Sequence, residues 1–291
     1  MKRIATIQDI SCVGKCSLSV ALPIISALGA EAAALPTAVL STHTAFPDFT
    51  FRDLTPDIPG ILRHWRQEKI HFDAVYSGYL ASHEQIRLVE ELFDLASPGV
   101  LRIVDPVMGD HGRLYTGFDR SFPESMRELC ASADVILPNL TEACLLAGIS
   151  YRETLSGEES AALLRRLAEL GPRYAVLTGA ADEDRRQIGA LCFDRSENRF
   201  HAHYTRLLSP AFHGTGDIFA STMAGALVRG LPIDRAMALA VDFTAECIRL
   251  TPTDPALRRY GVHFEAALPW LIRRIGQECG GPDDTDRTAE T

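Results

Sequence analysis

The stretch Val100-Leu101-Arg102-Ile103-Val104-Asp105 is a short apolar run that ends in a carboxylate. Five other short apolar runs occur along the chain. Longer segments, in which apolar residues have helical spacing, separate the six runs. The six strand candidates are residues 3–8, 32–40, 74–77, 100–104, 135–137 and 175–178. Because strands that alternate with helices build parallel βα units, the sequence predicts a three-layer α/β/α fold with a mostly parallel central sheet.

Helices are expected between and after these strands. The helix candidates are residues 18–28, 58–69, 82–95, 141–147, 158–170, 217–229, 234–250 and 263–275. Residues 41–59, rich in Thr, Phe, Asp and Pro, predict a small flap or edge hairpin over the site, and residues 186–193 and 199–205 alternate like an antiparallel pair. Residues 1–275 form one domain in this interpretation, and residues 276–291, with Gly-Gly-Pro and scattered charges, predict a flexible tail.

The balance of charge narrows the function. The 291 residues include 29 Lys and Arg against 38 Asp and Glu, a formal net charge of −9. Nucleic acids and anionic membranes are bound by basic surfaces, so neither is expected as the main partner. A nucleotide cofactor is not excluded, because backbone N–H groups and a metal ion can hold its phosphates. The expected partner is a small-molecule substrate.

The cysteines and the first residues bear on the compartment. Seven cysteines, an odd number, are scattered without a Cys-x-x-Cys pair, so reduced thiols and a cytoplasmic location are expected. The N-terminal stretch turns polar at Gln8-Asp9, unlike a signal peptide. The apolar segment 16–30 is shorter than the ~20 residues that span a bilayer, so it predicts a buried helix.

Several candidate strands end in a polar or small residue. These ends are Gln8-Asp9, Ser77-Gly78, Val104-Asp105, Pro138-Asn139 and Thr178-Gly179. In an open parallel sheet the ligand crevice lies beyond the carboxyl ends of the strands. The sequence therefore predicts a binding site at this edge of the sheet.

The segment Phe212-His213-Gly214-Thr215-Gly216-Asp217-Ile218-Phe219-Ala220 carries the strongest chemical pattern. Two glycines precede a run of helical spacing, and the first N–H groups of a helix bind anions when glycine lets a phosphate approach the backbone. Asp217 would then stand where the γ-phosphate of a nucleotide arrives, placed to take a proton from an attacking hydroxyl. The alternative is an ordinary helix start, since the helix dipole also favours an Asp there.

A P-loop enzyme is not expected. The pattern Gly-x-x-x-x-Gly-Lys-[Ser/Thr] is absent, and the partly similar Gly14-Lys15-Cys16-Ser17 has Asp9 where the first glycine is required.

The motifs together resemble the ribokinase-like kinases, and within them the pyridoxal (vitamin B6) kinases. Gly214-Thr215-Gly216-Asp217 resembles the family's anion hole and base, and Asp105-Pro106-Val107-Met108-Gly109-Asp110 resembles the segment facing the nucleotide phosphates. Pro138-Asn139-Leu140-Thr141-Glu142 resembles the Asn-x-x-Glu element associated with Mg²⁺ and its waters. Ser41-Thr42-His43-Thr44 and Ser77-Gly78-Tyr79 resemble substrate-side segments of the B6 kinases. The resemblance runs from about Arg3 to about Ile275.

The resemblance implies a role for each motif. ATP and Mg²⁺ are the expected cofactors, and a homodimer is the expected assembly. Asp217 is the expected base, with Gly214, Thr215 and Gly216 as the anion hole. The expected nucleotide and metal side comprises Asp105, Asp110, Tyr115, Asn139, Glu142, Thr178 and Gly179, with Asp105 and Glu142 holding Mg²⁺ through water. The expected substrate side comprises Asp9, His43, Thr44 and Tyr79.

Two of these residues have a second interpretation. Glu142 stands three residues after Asn139, a good N-cap, so it also fits a capping carboxylate, and both roles can hold together. Tyr115 is expected to close over the triphosphate, with an exposed loop tyrosine as the alternative.

The chain departs from the B6 kinase pattern at Asp9, where those enzymes have Ser after the Gln of the first strand. An Asp there, and a His before Gly-Thr-Gly, resemble the related hydroxymethylpyrimidine kinases, which often carry Cys where Asp217 stands. The resemblance implies phosphorylation of the 5′-hydroxymethyl group of pyridoxal, pyridoxamine or pyridoxine. The alternatives are a hydroxymethylpyrimidine kinase and a non-catalytic protein that binds or senses pyridoxal phosphate.

Overall fold

The central sheet confirms the predicted α/β architecture. The computed structural model describes residues 1–95, 99–181, 186–208, 212, 214–252, 254 and 259–280. Within these ranges one sheet comprises β1 (Arg3–Ser11), β2 (Glu31–Leu40), β3 (Phe51–Asp53), β4 (Ala74–Ser77), β5 (Leu101–Val104), β8 (Val135–Ile136), β9 (Tyr174–Ala181), β10 (Gln187–Asp194) and β11 (Arg199–Arg206). Their order is β11-β10-β9-β8-β5-β4-β1-β2-β3.

The middle of the sheet is parallel and its edges are antiparallel. The six strands from β9 to β2 pair in parallel, while β3, β10 and β11 pair antiparallel. The β2–β3 pair confirms the edge hairpin predicted within residues 41–59, and the β10–β11 pair confirms the antiparallel prediction. A separate two-stranded ribbon, β6 (Gly109–Asp110) with β7 (Arg113–Leu114), was not predicted.

Helices cover both faces of the sheet. They are α1 (Leu18–Ala27), α2 (Ile58–Gln67), α3 (His83–Leu95), α4 (Phe122–Ala131), α5 (Leu140–Ala147), α6 (Gly157–Ala168), α7 (Thr215–Val228), α8 (Ile233–Leu250) and α9 (Leu268–Glu278), with 3₁₀ turns at Thr55–Asp57 and Phe264–Ala267. One core cluster contains apolar residues of α1, α7, α8 and α9. The other contains those of α2 to α6.

Strand residues alternate between the two cores. Ile4 and Tyr76 contribute to the first cluster, while their neighbours Ala5 and Val75 contribute to the second. Successive side chains of a strand point to opposite faces, so a strand between two helical layers must be apolar on both. This requirement explains the unbroken apolar runs from which the strands were predicted.

The structure corrects the sequence interpretation at two helices. Helix α4 was not predicted, although Phe122, Met126 and Leu129 are buried at the spacing of one helical face. Helix α9 runs to Glu278, so the first three residues of the predicted tail are helical, and residues 281–291 lie outside the described part. None of the described helices is both long enough and apolar enough to cross a membrane.

Candidate active site

The carboxyl ends of the parallel strands gather the polar residues that the sequence singled out. Asp105 follows β5 directly, Asn139 caps α5 after β8, and Thr178 lies in β9. Parallel neighbours end at the same edge of a sheet, so these residues lie at the edge where the sequence predicts a ligand crevice. Asp9 lies where the β1–β2 register shifts between Gln8 and Ile10, and such a bulge re-aims a side chain next to a site.

Asp217 lies in the first turn of α7, which starts at Thr215. The pKa of its carboxyl is raised to about 7, mainly by burial and also by the negative charge of Asp9, while the nearby backbone of Ser17 opposes the rise. A carboxyl with this pKa exchanges protons near neutral pH, which suits a general base.

Glycines shape the start of α7. Gly214 is the N-cap, with φ 82° and ψ 1°, a left-handed conformation that glycine adopts without strain. An added Cβ at Gly214 would lie 2.1 Å from the carbonyl oxygen of Lys15, so the two loops touch through their backbones. An added Cβ at Gly216 would meet no atom within 4 Å. This helix start is therefore tight on the protein side and open on the other. His213 lies outside the described residues.

Asp9 is a buried carboxylate near the end of β1. The Ser17 hydroxyl donates to its Oδ1 at 2.6 Å. Burial raises the pKa of Asp9, and its hydrogen bonds oppose that rise. The half-buried Tyr79 lies close enough that Asp9 adds to the raising of the tyrosine pKa, which is mainly due to burial. The structure thus brings Asp9, Tyr79 and Asp217 together.

Asn139 and Glu142 form a reciprocal capping box at the start of α5. The Asn139 side chain accepts from the Glu142 N–H at 3.0 Å, and the Glu142 carboxylate accepts from the Asn139 N–H at 2.9 Å. The other oxygen of Glu142 accepts from the Met108 N–H at 3.1 Å, and Asn139 Nδ2 donates to the Gly109 carbonyl at 2.9 Å. The capping role predicted for Glu142 is confirmed, and the same residues anchor the segment after β5.

Asp105 and Glu142 form an acidic pair beneath the crevice. Burial raises the pKa of Asp105 well above its usual value, and the charges of Glu142 and Asp217 raise it further. Burial also raises the pKa of Glu142, to about 8, against the hydrogen bonds that it accepts from backbone N–H groups. A divalent cation nearby would stabilise both carboxylates as anions, and their hard oxygen donors suit Mg²⁺.

The donor set fits a metal held mainly through water. Among the described residues no group of three His, Cys, Asp or Glu side chains is arranged to hold a metal ion directly. Mg²⁺ keeps several of its waters in protein sites and binds few carboxylates. Asp105 at the end of β5, with Glu142 behind it, fits this kind of site.

Tyr115 and Asp110 lie on the loop that carries the β6–β7 ribbon. Tyr115 is 41% exposed, and its N–H donates to the Met108 carbonyl at 3.0 Å. Burial raises its pKa, and four carboxylates raise it further, those of Glu142, Asp110, Asp105 and Asp217. The tyrosine thus faces the acidic cluster, whereas Asp110 is exposed and accepts from the His111 N–H at 2.8 Å.

Thr178 and Gly179 lie inside β9, not after it. The Thr178 N–H donates to the Pro138 carbonyl at 2.9 Å, which ties β9 to the segment before α5. The β9–β10 register shifts at this point, and Gly179 has φ 65° and is exposed. The sequence reasoning ended the strand too early, because such a bulge interrupts the apolar run without ending the strand.

His43 is held within the flap region. Its Nε2 lies 2.6 Å from the Arg259 carbonyl oxygen, its Nδ1 accepts from the Ala45 N–H at 3.3 Å, and its ring packs edge-on against Phe46 at 4.9 Å. The Arg259 guanidinium lies 4.0 Å over the Phe46 ring. Thr44 is exposed. The structure therefore engages both ring nitrogens of His43 with the chain and leaves Thr44 open to solvent.

Sequence reasoning missed Ser17, whose hydroxyl donates to Asp9. It also missed the buried Tyr76, whose phenol pKa is raised well above normal by burial and then by Asp105 and Asp217. Seven residues separate Asp9 from Ser17, and no local sequence pattern pairs the two. Tyr76 reads as one more apolar strand position, so its place under the acids appears only in three dimensions.

The comparisons find relatives of this chain among phosphomethylpyrimidine and pyridoxal kinases. The phosphomethylpyrimidine kinase family model matches residues 24–260. A phosphomethylpyrimidine kinase homologue from Bacteroides thetaiotaomicron, crystallised with pyridoxal, is 38% identical, with 93% of this chain and 95% of that chain covered and a TM-score of 0.88. Pyridoxal kinase from Lactobacillus plantarum is 34% identical, with 95% and 99% covered and a TM-score of 0.86. A pyridoxal kinase of Rubrobacter xylanophilus is 30% identical over 248 residues, 81% of this chain and 83% of its own.

Fold, site and relatives define the class of protein: this is a small-molecule kinase with the ribokinase-like fold. Within that class, the chain belongs to the phosphomethylpyrimidine kinase family. The resemblance to B6 kinases inferred from the motifs is confirmed by the two pyridoxal kinase relatives.

Proposed function

We propose that this kinase transfers the γ-phosphoryl group of ATP to the 5′-hydroxymethyl group of pyridoxal, pyridoxamine or pyridoxine, in vitamin B6 salvage. The observation that carries the proposal is Asp217, an acid with a pKa of about 7 in the first turn of a glycine-led helix, beside Asp9. The homologue that shares 38% identity with this chain was crystallised with pyridoxal, which supports the choice of substrate.

Asp217 acts as the general base. As a carboxylate it accepts the proton of the substrate hydroxymethyl group while the oxygen attacks the γ-phosphorus in line with the leaving diphosphate. The open side of the α7 start, at Thr215 and Gly216, receives the negative charge that develops on the transferred group, because helix N-terminal N–H groups and the helix dipole favour anions.

The nucleotide side uses the acidic pair and its supports. Mg²⁺, when bound with ATP, neutralises charge on the β- and γ-phosphates, and Asp105 and Glu142 would hold it through water. Asn139 orients Glu142 through their mutual hydrogen bonds. Tyr115 covers the triphosphate, and Asp110 lies at the entrance of the nucleotide site. Thr178 and Gly179 contact the nucleotide along β9.

The substrate side recognises the ring. Asp9 accepts a hydrogen bond from a protonated ring nitrogen or phenolic hydroxyl, or pairs with the ammonium of pyridoxamine. Tyr79 packs beside it. His43 and Thr44 bound the pocket from the flap, with His43 acting through its fixed contacts to the Arg259 carbonyl and Phe46.

A second candidate is a hydroxymethylpyrimidine kinase with the same mechanism. The family model that matches residues 24–260 favours it, and Asp9 resembles the residue of that group. Asp217 and the B6 kinase relatives favour the first candidate. A third candidate, a protein that only binds pyridoxal phosphate, needs neither a base with a pKa near 7 nor an acidic metal site.

One experiment separates the three candidates. ATP consumption is measured with each B6 vitamer and with hydroxymethylpyrimidine, and kcat/KM values are compared. We expect kcat/KM for the best vitamer to exceed kcat/KM for hydroxymethylpyrimidine. A higher kcat/KM for the pyrimidine would establish the second candidate, and no turnover with any of the four, despite binding of pyridoxal phosphate, would establish the third.

We also propose that the protein works in the cytoplasm as a homodimer. All seven cysteines are free thiols in the structure, which supports a reducing compartment. Cell fractionation tests the location, and light scattering of the purified protein tests the assembly. A single species of 31.9 kDa would contradict the dimer.

A further inference from the structure

The loop between β7 and α4 turns one large apolar side chain inward. Residues 115–121 are exposed except for Phe118, which is half-buried. The Phe118 N–H donates to the Tyr115 carbonyl at 3.4 Å, and Gly117 between them has φ 103°, a conformation that glycine adopts without strain. The turn therefore directs the Phe118 ring away from solvent, out of a loop that is otherwise open.

Phe118 lies between two other rings. Its ring centroid is 4.0 Å from that of Phe122, with the planes nearly parallel at 17°. On its other side the ring centroid of Tyr79 lies at 5.7 Å, with the planes tilted by 41°. Phe122 is 1% exposed and begins α4, so it gives this stack a fixed base. Tyr79 is half-buried and follows the end of β4.

The residue after Phe118 fixes the loop. Asp119 Oδ1 accepts from the Ser121 N–H at 2.8 Å, from the Ser121 hydroxyl at 2.6 Å and from the Phe122 N–H at 3.0 Å. Asp119 Oδ2 lies 3.2 Å from Nε2 of His83, the first residue of α3. These contacts hold the backbone next to Phe118, so its ring does not depend on stacking alone for its place.

Tyr79 stands at the edge of the sheet where the crevice lies. The Gly78 N–H donates to the Ile7 carbonyl of β1 at 3.1 Å, and the Asp105 N–H, after β5, donates to the Ser77 carbonyl at 2.9 Å. The segment that leads into Tyr79 is therefore tied to both strands that flank β4 in the sheet. An open parallel sheet binds its ligand beyond these strand ends.

We propose that Phe118 is a positioning residue for substrate binding: its ring, stacked on Phe122, holds Tyr79 in the orientation in which Tyr79 contacts the vitamer ring. The inference rests on the proposed function, which places Tyr79 on the substrate side. Tyr115, three residues before Phe118, is held separately, because its N–H donates to the Met108 carbonyl at 3.0 Å. Loss of the Phe118 ring should therefore affect the substrate side and spare the nucleotide side.

The test compares Phe118→Leu with Phe118→Tyr in the full chain. Leucine keeps an apolar side chain but lacks the ring, whereas tyrosine keeps the ring. Phe200→Leu is the matched control, because Phe200 is also half-buried and packs against a ring, that of Phe193 at 4.8 Å. The strand register pairs Phe200 with Phe193, and Phe193 with Ala175 near the start of β9, so this pair lies away from the carboxyl edge of β9.

Steady-state KM values for ATP and for the best vitamer separate positioning from packing. Phe118→Leu should raise KM for the vitamer by about two- to tenfold, the contribution of one aromatic pair, and leave KM for ATP within about twofold. Phe118→Tyr should return KM for the vitamer to near the wild-type value, and Phe200→Leu should move neither KM. If Phe118→Leu does not fold, Phe118→Met, whose flexible side chain fills the gap without a ring, carries the comparison.

Melting temperatures are measured on the same variants. A lower melting temperature of Phe118→Leu with the vitamer KM of wild type would reduce Phe118 to packing and overturn the inference. Equal rises of both KM values would overturn it as well, because the effect would then not be confined to the substrate side.

Tyr79→Leu distinguishes failure of this inference from failure of the proposed function. If Phe118 acts through Tyr79, the double variant should have the vitamer KM of Tyr79→Leu alone, because residues that act through one another are not additive. KM increases that multiply, or a raised KM in Tyr79→Leu beside a normal Phe118→Leu, overturn only the positioning role. A wild-type KM in Tyr79→Leu removes Tyr79 from the substrate side and overturns both. If hydroxymethylpyrimidine proves to be the substrate, the same comparison is made with its KM.

Discussion

Helices α5 and α7 begin at the same edge of the sheet, but the backbone N–H groups of their first turns are capped in opposite ways. At α5 the capping box of Asn139 and Glu142 occupies helix-start N–H groups with side chains of the protein. At α7 the N-cap is Gly214, which has no side chain to accept from the helix. The first start is closed and the second is open.

In the proposed mechanism the closed start of α5 holds neighbouring segments in place, and the open start of α7 contacts the reacting groups. The hydrogen bonds of a closed start make it rigid. At α5 the capping residues also hold the segment after β5 through Met108 and Gly109. An open start keeps its N–H groups for a ligand that arrives only during turnover. We therefore expect substitutions at α7 to remove activity and substitutions at α5 to tune it.

The largest effect is expected from Asp217→Asn at the open start. The amide keeps the shape of the side chain but cannot take the proton, so kcat should fall by ~10²–10⁴-fold, the range of general acid–base help. KM for ATP should change little, because the backbone N–H groups are untouched. Initial rates and binding of a non-hydrolysable ATP analogue measure the two. Turnover above a tenth of wild type removes Asp217 from the mechanism.

The pH dependence of activity follows from the same residue. Since burial raises the pKa of Asp217 to about 7 and the carboxylate is the active form, kcat/KM should fall as pH drops below about 7. Stability runs the other way. Between about pH 4 and pH 7 the native protein holds a proton that the unfolded chain has lost, so the contribution of Asp217 to stability is lost as pH rises through this window.

Asp217→Asn checks the sign of this stability term. It lacks the titration, so its unfolding free energy should gain on that of wild type between pH 5 and pH 8, as read from urea denaturation. An equal difference between the two proteins at both pH values would show that the pKa of Asp217 is not raised in the native state.

The next effect is expected from Gly216→Ala, which closes the open start without disturbing the fold. The added Cβ meets no protein atom within 4 Å, and alanine favours a helix over glycine by about 1 kcal/mol, so the melting temperature should hold or rise. Activity should still fall by about 10²-fold in kcat, the scale of one lost oxyanion contact. Gly214→Ala is the contrast, since its Cβ lies 2.1 Å from the Lys15 carbonyl and should destabilise the protein. Wild-type kcat in Gly216→Ala would show that no phosphate approaches there.

The contrast between the two starts also marks what sequence could predict. The capping box is a local pattern, Asn139 with Glu142 three residues on, and so the α5 start was predicted with its capping role. The glycines and Asp217 were predicted as an anion hole from the same kind of local spacing. The hydrogen bond from Ser17 to Asp9 joins the start of α1 to β1 across a loop, and no periodicity encodes it. Helix α4 was not predicted, although Phe122, Met126 and Leu129 show the spacing of one helical face, so the sequence does contain the pattern for it.

The substrate side is tested by changing Asp9, with two variants instead of one. Asp9→Ser restores the residue usual in B6 kinases, but it also removes the acceptor of the Ser17 hydroxyl. Asp9→Asn keeps an acceptor for Ser17 and removes only the charge. If the charge recognises the vitamer, both variants should raise KM for the best vitamer by about 10–100-fold, the value of a charge-assisted hydrogen bond, and leave KM for ATP nearly unchanged.

Vitamer ratios decide the matter for Asp9. Pyridoxamine alone carries an ammonium that can pair with the carboxylate, so its kcat/KM should fall relative to pyridoxal and pyridoxine in Asp9→Asn. Equal ratios of the three kcat/KM values in wild type and Asp9→Asn would confine Asp9 to its contact with Ser17.

The smallest effect is expected at the closed start, and the chain offers an internal control for it. Ser156 and Glu159 form a second capping box at α6, where Glu159 is only half-buried and its pKa is lowered by the Ser156 N–H and Arg152. Glu142 has the same local geometry, yet burial raises its pKa to about 8. The hydrogen bonds are alike, so the opposite directions of the two pKa shifts come from the surroundings and not from the motif.

Replacing each Glu by Gln separates capping from metal binding. Both variants replace one of two carboxylate oxygens by an amide NH₂ group. Glu142→Gln should lose stability, because both Glu142 oxygens accept from backbone N–H groups and one of these is left unpaired and buried. Glu159→Gln should lose little, because the remaining amide oxygen can keep the bond from the Ser156 N–H. A metal role adds a second effect to Glu142→Gln alone: the Mg²⁺ concentration for half-maximal rate at fixed ATP should rise about tenfold, the lower end of the effect of a metal's outer partners. Glu159→Gln should leave that concentration unchanged. A Mg²⁺ curve that moves in both variants traces to the loss of a carboxylate charge and not to a metal site, and one that moves in neither confines Glu142 to holding the start of α5.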